Sequence, residues 1–362
     1  DRLSIPITVI NGEHPGPRMF VTAAVHGDEL NGIGVVRELM TTLEPNEING
    51  VLILVPVVNV LGLPLHSRYL PDRRDLNRAF PGSTEGSMAS RLANTITTQV
   101  LDVCDVGVDL HTAASGRANL PQIRANFDAP KSLEYARAFA PPILVDAPHR
   151  VGSLRWAGAE RDVPVLTYEA GEALRFEESA IGIGVAGVRR LMAHLGMLTE
   201  DEADSDGTPL EADETHWVRA DRGGIMNLEV GLGDSVSVGQ PLWTVSSPFG
   251  RDRKPMESPW EGVVIGASTI PLCNPGDAVV HIAVARASST RTSTSSRSCS
   301  PRVGPGSGQK TSVTGVSALP FLPLEGRTPR RARAGGVVGP AGAEGVQRGR
   351  PEPTAVRRTE PR

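Results

Sequence analysis

The sequence has 362 residues, 39% of them hydrophobic, which suffices for a core and excludes a wholly disordered chain. No apolar run approaches the ~18–20 residues of a membrane-spanning helix, and three scattered cysteines (Cys104, Cys273, Cys299) exclude a disulfide framework or a thiolate metal site. The net charge of −4 hides a division: residues 286–362 carry 14 basic and four acidic side chains, leaving 23 basic and 37 acidic ahead of them, and an acidic body excludes nucleic acid as the expected partner.

In chain order, the first two hundred residues alternate apolar strand-like runs with helical periodicity, an α/β layer pattern. FVTAAV (Phe20 to Val25) reads as a buried strand, and Leu30, Ile33, Val36, Met40 and Leu43 then share one helical face. Val51 to Val58 is a second buried strand. Met88, Leu92, Ile96 and Val100 mark another helix by their spacing. VLDVCDVGVDL, running up to His111, and VPVLTY, running up to Glu169, read as further central strands. A last helix carries Ile181, Val185, Val188, Leu191, Met192 and Leu195.

These elements define an expected catalytic domain over residues 1–200. Residues 201–215 are expected as an acidic linker, because the stretch 200–214 holds eight carboxylates and no base. Residues 216–285 change to short, glycine-punctuated β pieces, a small all-β domain resembling the barrel-sandwich hybrid of biotinyl and lipoyl domains. In residues 286–362, Ser, Thr, Pro and Gly make up 38 of 77 residues with no amphipathic period, so a disordered basic tail is expected. That composition would equally suit a shifted reading frame.

Three apolar runs deliver polar residues at their ends: His26 to Glu29, Asp109 to His111, and Glu169. In open α/β sheets the carboxyl ends of strands line the ligand crevice. His26 and Glu29 form an H-x-x-E pair with Gly27 letting the chain bend between them, and His111 arrives 82 residues after Glu29. Two histidines and a carboxylate make a three-ligand set of catalytic type, with a fourth position for water. Asp109 would orient a ligand histidine. The plainer alternative packs His26 in its turn and His111 in the core. A carboxylate at Glu169 suits proton transfer from a metal-activated water to a leaving amine, or else sits at a helix N-terminus, and Glu172 competes for either role. Four arginines between Ser67 and Arg78 suit carboxylate recognition and oxyanion stabilisation, or a solvated surface.

HGDE, R-x-x-x-D-x-x-DLNRAFPG, DLHTAA and a strand ending in Glu-Ala-Gly, in this order, resemble the succinylglutamate desuccinylase/aspartoacylase family, zinc hydrolases related to metallocarboxypeptidases. The resemblance covers residues 5–285. It implies a zinc-carboxypeptidase-like three-layer sandwich with a mixed central sheet. It implies one Zn2+ per chain on His26, Glu29 and His111, with Glu169 activating the metal-bound water. Arg68 matches the arginine that polarises the scissile carbonyl, and Asn77 and Arg78 match residues that bind the substrate carboxylate. Asp75 and Asp109 would support this set. The implied activity is hydrolysis of the amide of a small N-acyl amino acid or related compound. A carboxypeptidase-like peptidase on short peptides and a silent zinc-binding assembly protein are the alternatives.

Two further signals are declined. Gly182 to Gly187 matches the G-x-G-x-x-G of dinucleotide sites but lies within a helical pattern and follows no strand. The β unit lacks a modifiable lysine of the swinging-arm kind, since Lys254 stands before Pro255. The opening DRLSIPITVI shows no secretory pattern, so a cytoplasmic enzyme with no membrane partner is expected. The sequence leaves a homo-oligomer open.

Overall fold

The structure is a computed structural model that describes residues 4–199 and 208–286. The expected basic tail beyond Arg286 and the first part of the acidic linker lie outside the described residues. In chain order the elements are β1 (Thr8–Asn11), β2 (His14–Ala23), α1 (Asn31–Thr42), β3 (Asn49–Val55), α2 (Met88–Gln99), β4 (Val106–Ala113), β5 (Arg117–Ala125), α3 (Pro130–Phe139) and β6 (Ile143–Asp146). There follow α4 (Leu154–Ala159), β7 (Val165–Glu172) and α5 (Glu178–His194). The remainder is β8 (Leu210–Arg219), β9 (Gly224–Leu228), β10 (Ser235–Val236), β11 (Pro241–Ser246), β12 (Lys254–Glu257), β13 (Gly262–Ser268), β14 (Leu272–Cys273) and β15 (Ala278–Ala285).

The strands of the first half form a mixed sheet. Strands β3, β2, β4 and β7 run parallel side by side, with β1 antiparallel at the edge and β5 antiparallel against β7. Strand parity explains the layers, because successive side chains face opposite sides. Met19, Val21, Leu52 and Leu54 pack with Leu39 of α1, Phe139 of α3 and Leu191 of α5. Their neighbours Phe20, Ile53 and Val55 pack on the other face with Leu92 and Ile96 of α2 and Leu154 of α4. Helices on both faces of a mixed sheet give three layers. Side-chain caps fix two of these helices: Ser87 Oγ accepts from Ser90 N at 3.2 Å and Ser153 Oγ from Trp156 N at 3.1 Å.

The same parity places the chemistry. Val106, Val108 and Leu110 of β4 face the layer of α1, α3 and α5, as do Leu166, Tyr168 and Ala170 of β7. Asp109, His111, Thr167 and Glu169 therefore project from the opposite face, where the chain after β2 returns.

Three boundaries differ from expectation. Leu101–Val103 is a 3-10 turn, so the strand reaching His111 begins only at Val106. Strand β7 continues through Glu169 to Glu172 instead of ending there. Residues 210–215, expected as linker, are the first part of β8, which pairs with β6 and β15, because alternating Leu210, Ala212 and Val218 supply an apolar edge that the carboxylates masked. Strand β13 pairs with β5, so β8, β15, β13 and β10 are hydrogen-bonded into the first sheet, while β12, β11, β9 and β14 form a separate four-stranded sheet. Residues 180–187 lie within α5, and a Cβ on Gly187 would stand 2.1 Å from Phe139 Cε1. Close helix packing accounts for that glycine. Lys254 opens β12 and pairs with Asp221.

Candidate metal centre and substrate cavity

His26 and Glu29 sit in the turn between β2 and α1. Gly27 does not bend that turn through a left-handed conformation; Ala24, at φ 49°, does. Gly27 is needed for close approach, since a Cβ there would lie 2.2 Å from the Gly62 carbonyl carbon. His111 enters from β4, and its Cα partner across the parallel ladder is Glu169 of β7.

Both imidazoles turn Nδ1 inward. Glu29 Oε1 lies 2.7 Å from His26 Nδ1, and Glu29 Oε2 lies 2.7 Å from His111 Nδ1. Ligand atoms of the three residues fall within 4.8 Å of one another, and all three residues are at least 96% buried. Each outer nitrogen is tethered to a carboxylate: His26 Nε2 to Asp75 Oδ1 at 3.1 Å, and His111 Nε2 to Asp109 Oδ2 at 2.8 Å. Thr22 Oγ1 donates to the second oxygen of Asp109 at 2.8 Å. Such carboxylate tethers fix the ring and its tautomer in metal sites.

The tethering bears on what occupies the centre. With Nε2–H donating outward, each Nδ1 presents a lone pair to a carboxylate oxygen at 2.7 Å, an approach that only a proton or a cation makes favourable. Burial lowers the proton affinity of both histidines, but Glu29 with Asp75, and Asp109 with Glu29, outweigh it and leave both pKa values raised. Burial likewise opposes ionisation of Glu29, yet the two histidines hold it well below the usual carboxylate range. A set of two imidazole nitrogens and one carboxylate oxygen suits zinc.

The remaining expected residues surround this cluster. Arg68 donates to Glu29 Oε1 at 3.1 Å and to Asp75 Oδ2 at 3.2 Å. Asp75 also caps its own turn, accepting from Asn77 N at 2.9 Å. The Asn77 side chain accepts from Leu154 N at 2.9 Å and directs Nδ2 to within 3.4 Å of His111 Nε2. Arg78 donates to the Asn77 carbonyl and reaches the cavity from an exposed position. Glu169 accepts from Asn119 Nδ2 at 3.2 Å, and Arg124 Nε stands 3.9 Å away. All seven expected site residues line one cavity of about 550 Å³.

Glu172 takes neither of the roles considered for it. Its carboxylate accepts from Gly116 N and Thr269 Oγ1, each at 3.0 Å, and from Arg175 Nε at 2.9 Å. Sequence reasoning also missed Asn119, Arg117 and Arg124, all on β5, and Trp217 on β8, which complete the cavity wall. Pro121 interrupts β5 at a ladder irregularity between Asn119 and Gln122, which erased its strand periodicity.

Residues 15–195 match the succinylglutamate desuccinylase/aspartoacylase catalytic domain. The chain belongs to this family. It is 28% identical over 298 residues to the N-alpha-acetyl-L-2,4-diaminobutyric acid deacetylase of Halomonas elongata, covering 77% of this chain and 85% of that one. The product-bound ectoine utilization protein EutE from Ruegeria pomeroyi superimposes with a TM-score of 0.70 at 27% identity, over 77% and 88% of the two chains. A succinylglutamate desuccinylase from Silicibacter has a TM-score of 0.70 at 27% identity, over 78% and 89%.

Proposed function

We propose that the protein is a zinc-dependent deacylase that hydrolyses the amide bond of a small N-acyl amino acid or related N-acylated compound. The observation that carries this reading is the convergence of His26 Nδ1, His111 Nδ1 and the Glu29 carboxylate, both rings tethered from behind, beside Glu169 in an arginine-lined cavity. The family and the deacetylase from Halomonas elongata support the reaction class.

In this reading His26, Glu29 and His111 hold one zinc ion, which supplies Lewis-acid polarisation of the carbonyl and of water. The chain's own groups do the rest. Glu169 takes a proton from the attacking water and returns it to the departing amine, with Asn119 fixing one carboxylate oxygen and leaving the other for the proton. Arg68, on the rim of the cluster, offers a guanidinium to the carbonyl oxygen as its negative charge develops. Arg78, steadied by the Asn77 carbonyl, binds the α-carboxylate, and Asn77 adds its amide from beside His111. We read residues 216–285 as a barrel-sandwich-like module, whose Trp217 forms part of the cavity wall. Among the described residues no helix is long and apolar enough to cross a membrane. We place the enzyme in the cytoplasm, where the free, buried Cys104 and Cys273 would stay reduced.

Amine release from a panel of N-acyl amino acids, followed through chelation and restoration of zinc, tests the reading. Chelator-sensitive release that zinc restores is expected. Zinc-loaded protein that releases no amine from any member of the panel would sink it.

A further inference from the structure

Arg117 begins β5 and lines the cavity, and among the described residues its guanidinium meets no carboxylate. Everything around that guanidinium is nevertheless fixed. Its carbon lies 5.1 Å above the ring centroid of Trp217, and Trp217 is stacked on His281 with centroids 4.4 Å apart and planes within 7°. The backbone just before it is pinned as well: Thr269 N donates to Gly116 O at 3.0 Å while Glu172 takes Gly116 N and Thr269 Oγ1. Glu172 thus spends a buried carboxylate on holding the loop that presents Arg117.

The other cationic groups of the cavity are engaged or lie elsewhere. Arg68 belongs to Glu29 and Asp75, and Arg155 donates to the carbonyls of Ala147 and Pro148 at 3.1 and 2.9 Å. Arg124 is ion-paired with Glu169 at 3.9 Å, beyond hydrogen-bond distance, its buried Nε having no hydrogen-bond partner among the described residues. Arg150 lines the same cavity, near enough to both Arg78 and Arg155 to disfavour their charge. A guanidinium carbon over an indole face, with no carboxylate partner, leaves N–H groups available for an oxyanion. The backbone that presents it is already held, so binding need not order that loop.

We propose that Arg117, braced on Trp217, is a specificity-determining residue that binds a second carboxylate of the substrate, distinct from the one assigned to Arg78. The proposal rests on the deacylase reading of this cavity. The second carboxylate belongs either to the amino-acid side chain or to the far end of the acyl chain, and the arms of the test separate the two.

The full-length zinc-loaded protein is assayed on N-acetyl-L-alanine, N-acetyl-L-aspartate and N-succinyl-L-alanine. Wild type is expected to prefer one of the two dianionic amides by kcat/KM, and whichever it prefers names the source of the carboxylate. Arg117→Gln is expected to cut that preference about tenfold, mostly through KM, and Arg117→Lys to restore part of it. A preference unchanged in Arg117→Gln overturns the proposal. So does a wild type that prefers neither dianionic amide, or that prefers N-acetyl-L-2,4-diaminobutyrate with its cationic side chain. If no amide is hydrolysed, the deacylase reading fails separately, and the site is judged by calorimetric titration with succinate. Binding weakened about tenfold in Arg117→Gln then supports it, and equal binding overturns it.

Discussion

His26 and His111 at the candidate metal centre and His281 behind the cavity wall are about equally buried, at 3%, 4% and 4% exposure, yet their proton affinities are shifted in opposite directions. Desolvation alone pulls the proton affinity of each one down. At the candidate metal centre the Glu29, Asp75 and Asp109 carboxylates reverse that pull and raise both histidines above their ordinary 6.5. Behind Trp217 nothing reverses it: Arg124, His216 and Arg117 add to the desolvation and push His281 down to about 3. One region of the molecule therefore concentrates negative charge around imidazoles and suits a cation. The other collects arginines around a neutral ring and suits an anion. In the proposed deacylase reading, an amide flanked by carboxylates would lie between these two regions.

The comparison breaks most readily at the cation side. His111→Ala removes an inward Nδ1 and leaves Glu29 Oε2 and Asp109 Oδ2 without their partner. Zinc content measured by elemental analysis is expected to fall to a small fraction of one per chain, and kcat/KM by roughly a thousandfold. Full zinc occupancy in this variant would show that the three-residue set is not the metal site. Glu169→Gln separates chemistry from metal binding. Its carboxylate hydrogen-bonds to Asn119 and neighbours Arg124 but none of the three proposed ligand side chains, so zinc content should hold while kcat drops by roughly 10²–10⁴. A variant that retains most of its kcat would move the general base elsewhere.

Smaller changes sharpen the picture. Asp109→Asn keeps the volume behind His111 but removes the charge that raises it and one of the acceptors shared with Thr22. Zinc affinity, read by competition with a chromogenic chelator, is expected to weaken roughly 10–100-fold. Unchanged affinity would mean that the tether is only packing. Arg78→Ala addresses the α-carboxylate end, where the guanidinium is exposed within the cavity. The expected result is a KM for N-acyl amino acids about tenfold higher, with a smaller change in kcat. An unaltered KM would remove Arg78 from substrate recognition.

The part of this site that the sequence revealed is the part carried by short-range grammar. His26 and Glu29 stand three residues apart in a turn, Asp109 and His111 alternate on a strand, and the arginine and asparagine of the DLNR segment are contiguous. Helical periods placed α1 and α2 to within a residue and the body of α5 from its fourth residue on, because each buries one continuous stripe. The cavity's other wall had no such grammar. Arg117, Asn119 and Arg124 lie on a strand broken by Pro121. Trp217 meets Arg117 only because β8, β15, β13 and β5 hydrogen-bond in succession, across about a hundred residues of chain. The acidic run that overlaps the start of β8 read as solvated linker since its apolar positions, Leu210 and Ala212, are outnumbered by carboxylates. Their burial depends on partners in β6 that no local pattern announces.

The least drastic test concerns His281, and it reads the anion-side half of the comparison as a stability. A histidine ordinarily titrating at 6.5 and held at about 3 in the fold stays neutral there while the unfolded chain picks up a proton. Above pH 6.5 both states are neutral at this residue and it contributes nothing to the pH dependence. As pH falls from 6.5 towards 3 the unfolded state binds more protons than the fold, so stability declines through that window and the loss is complete below it. The full shift corresponds to roughly 5 kcal/mol. His281→Phe retains a ring for Trp217 to stack on and gives up a buried Nδ1 that has no partner among the described residues. Its midpoint in urea at pH 7.5 should lie close to that of wild type, while its decline between pH 6.5 and 4 should be shallower. Parallel declines in the two proteins would show that His281 charges freely in the fold. In that case the arginines beside it are neutralised by something within the wall and do not await a substrate.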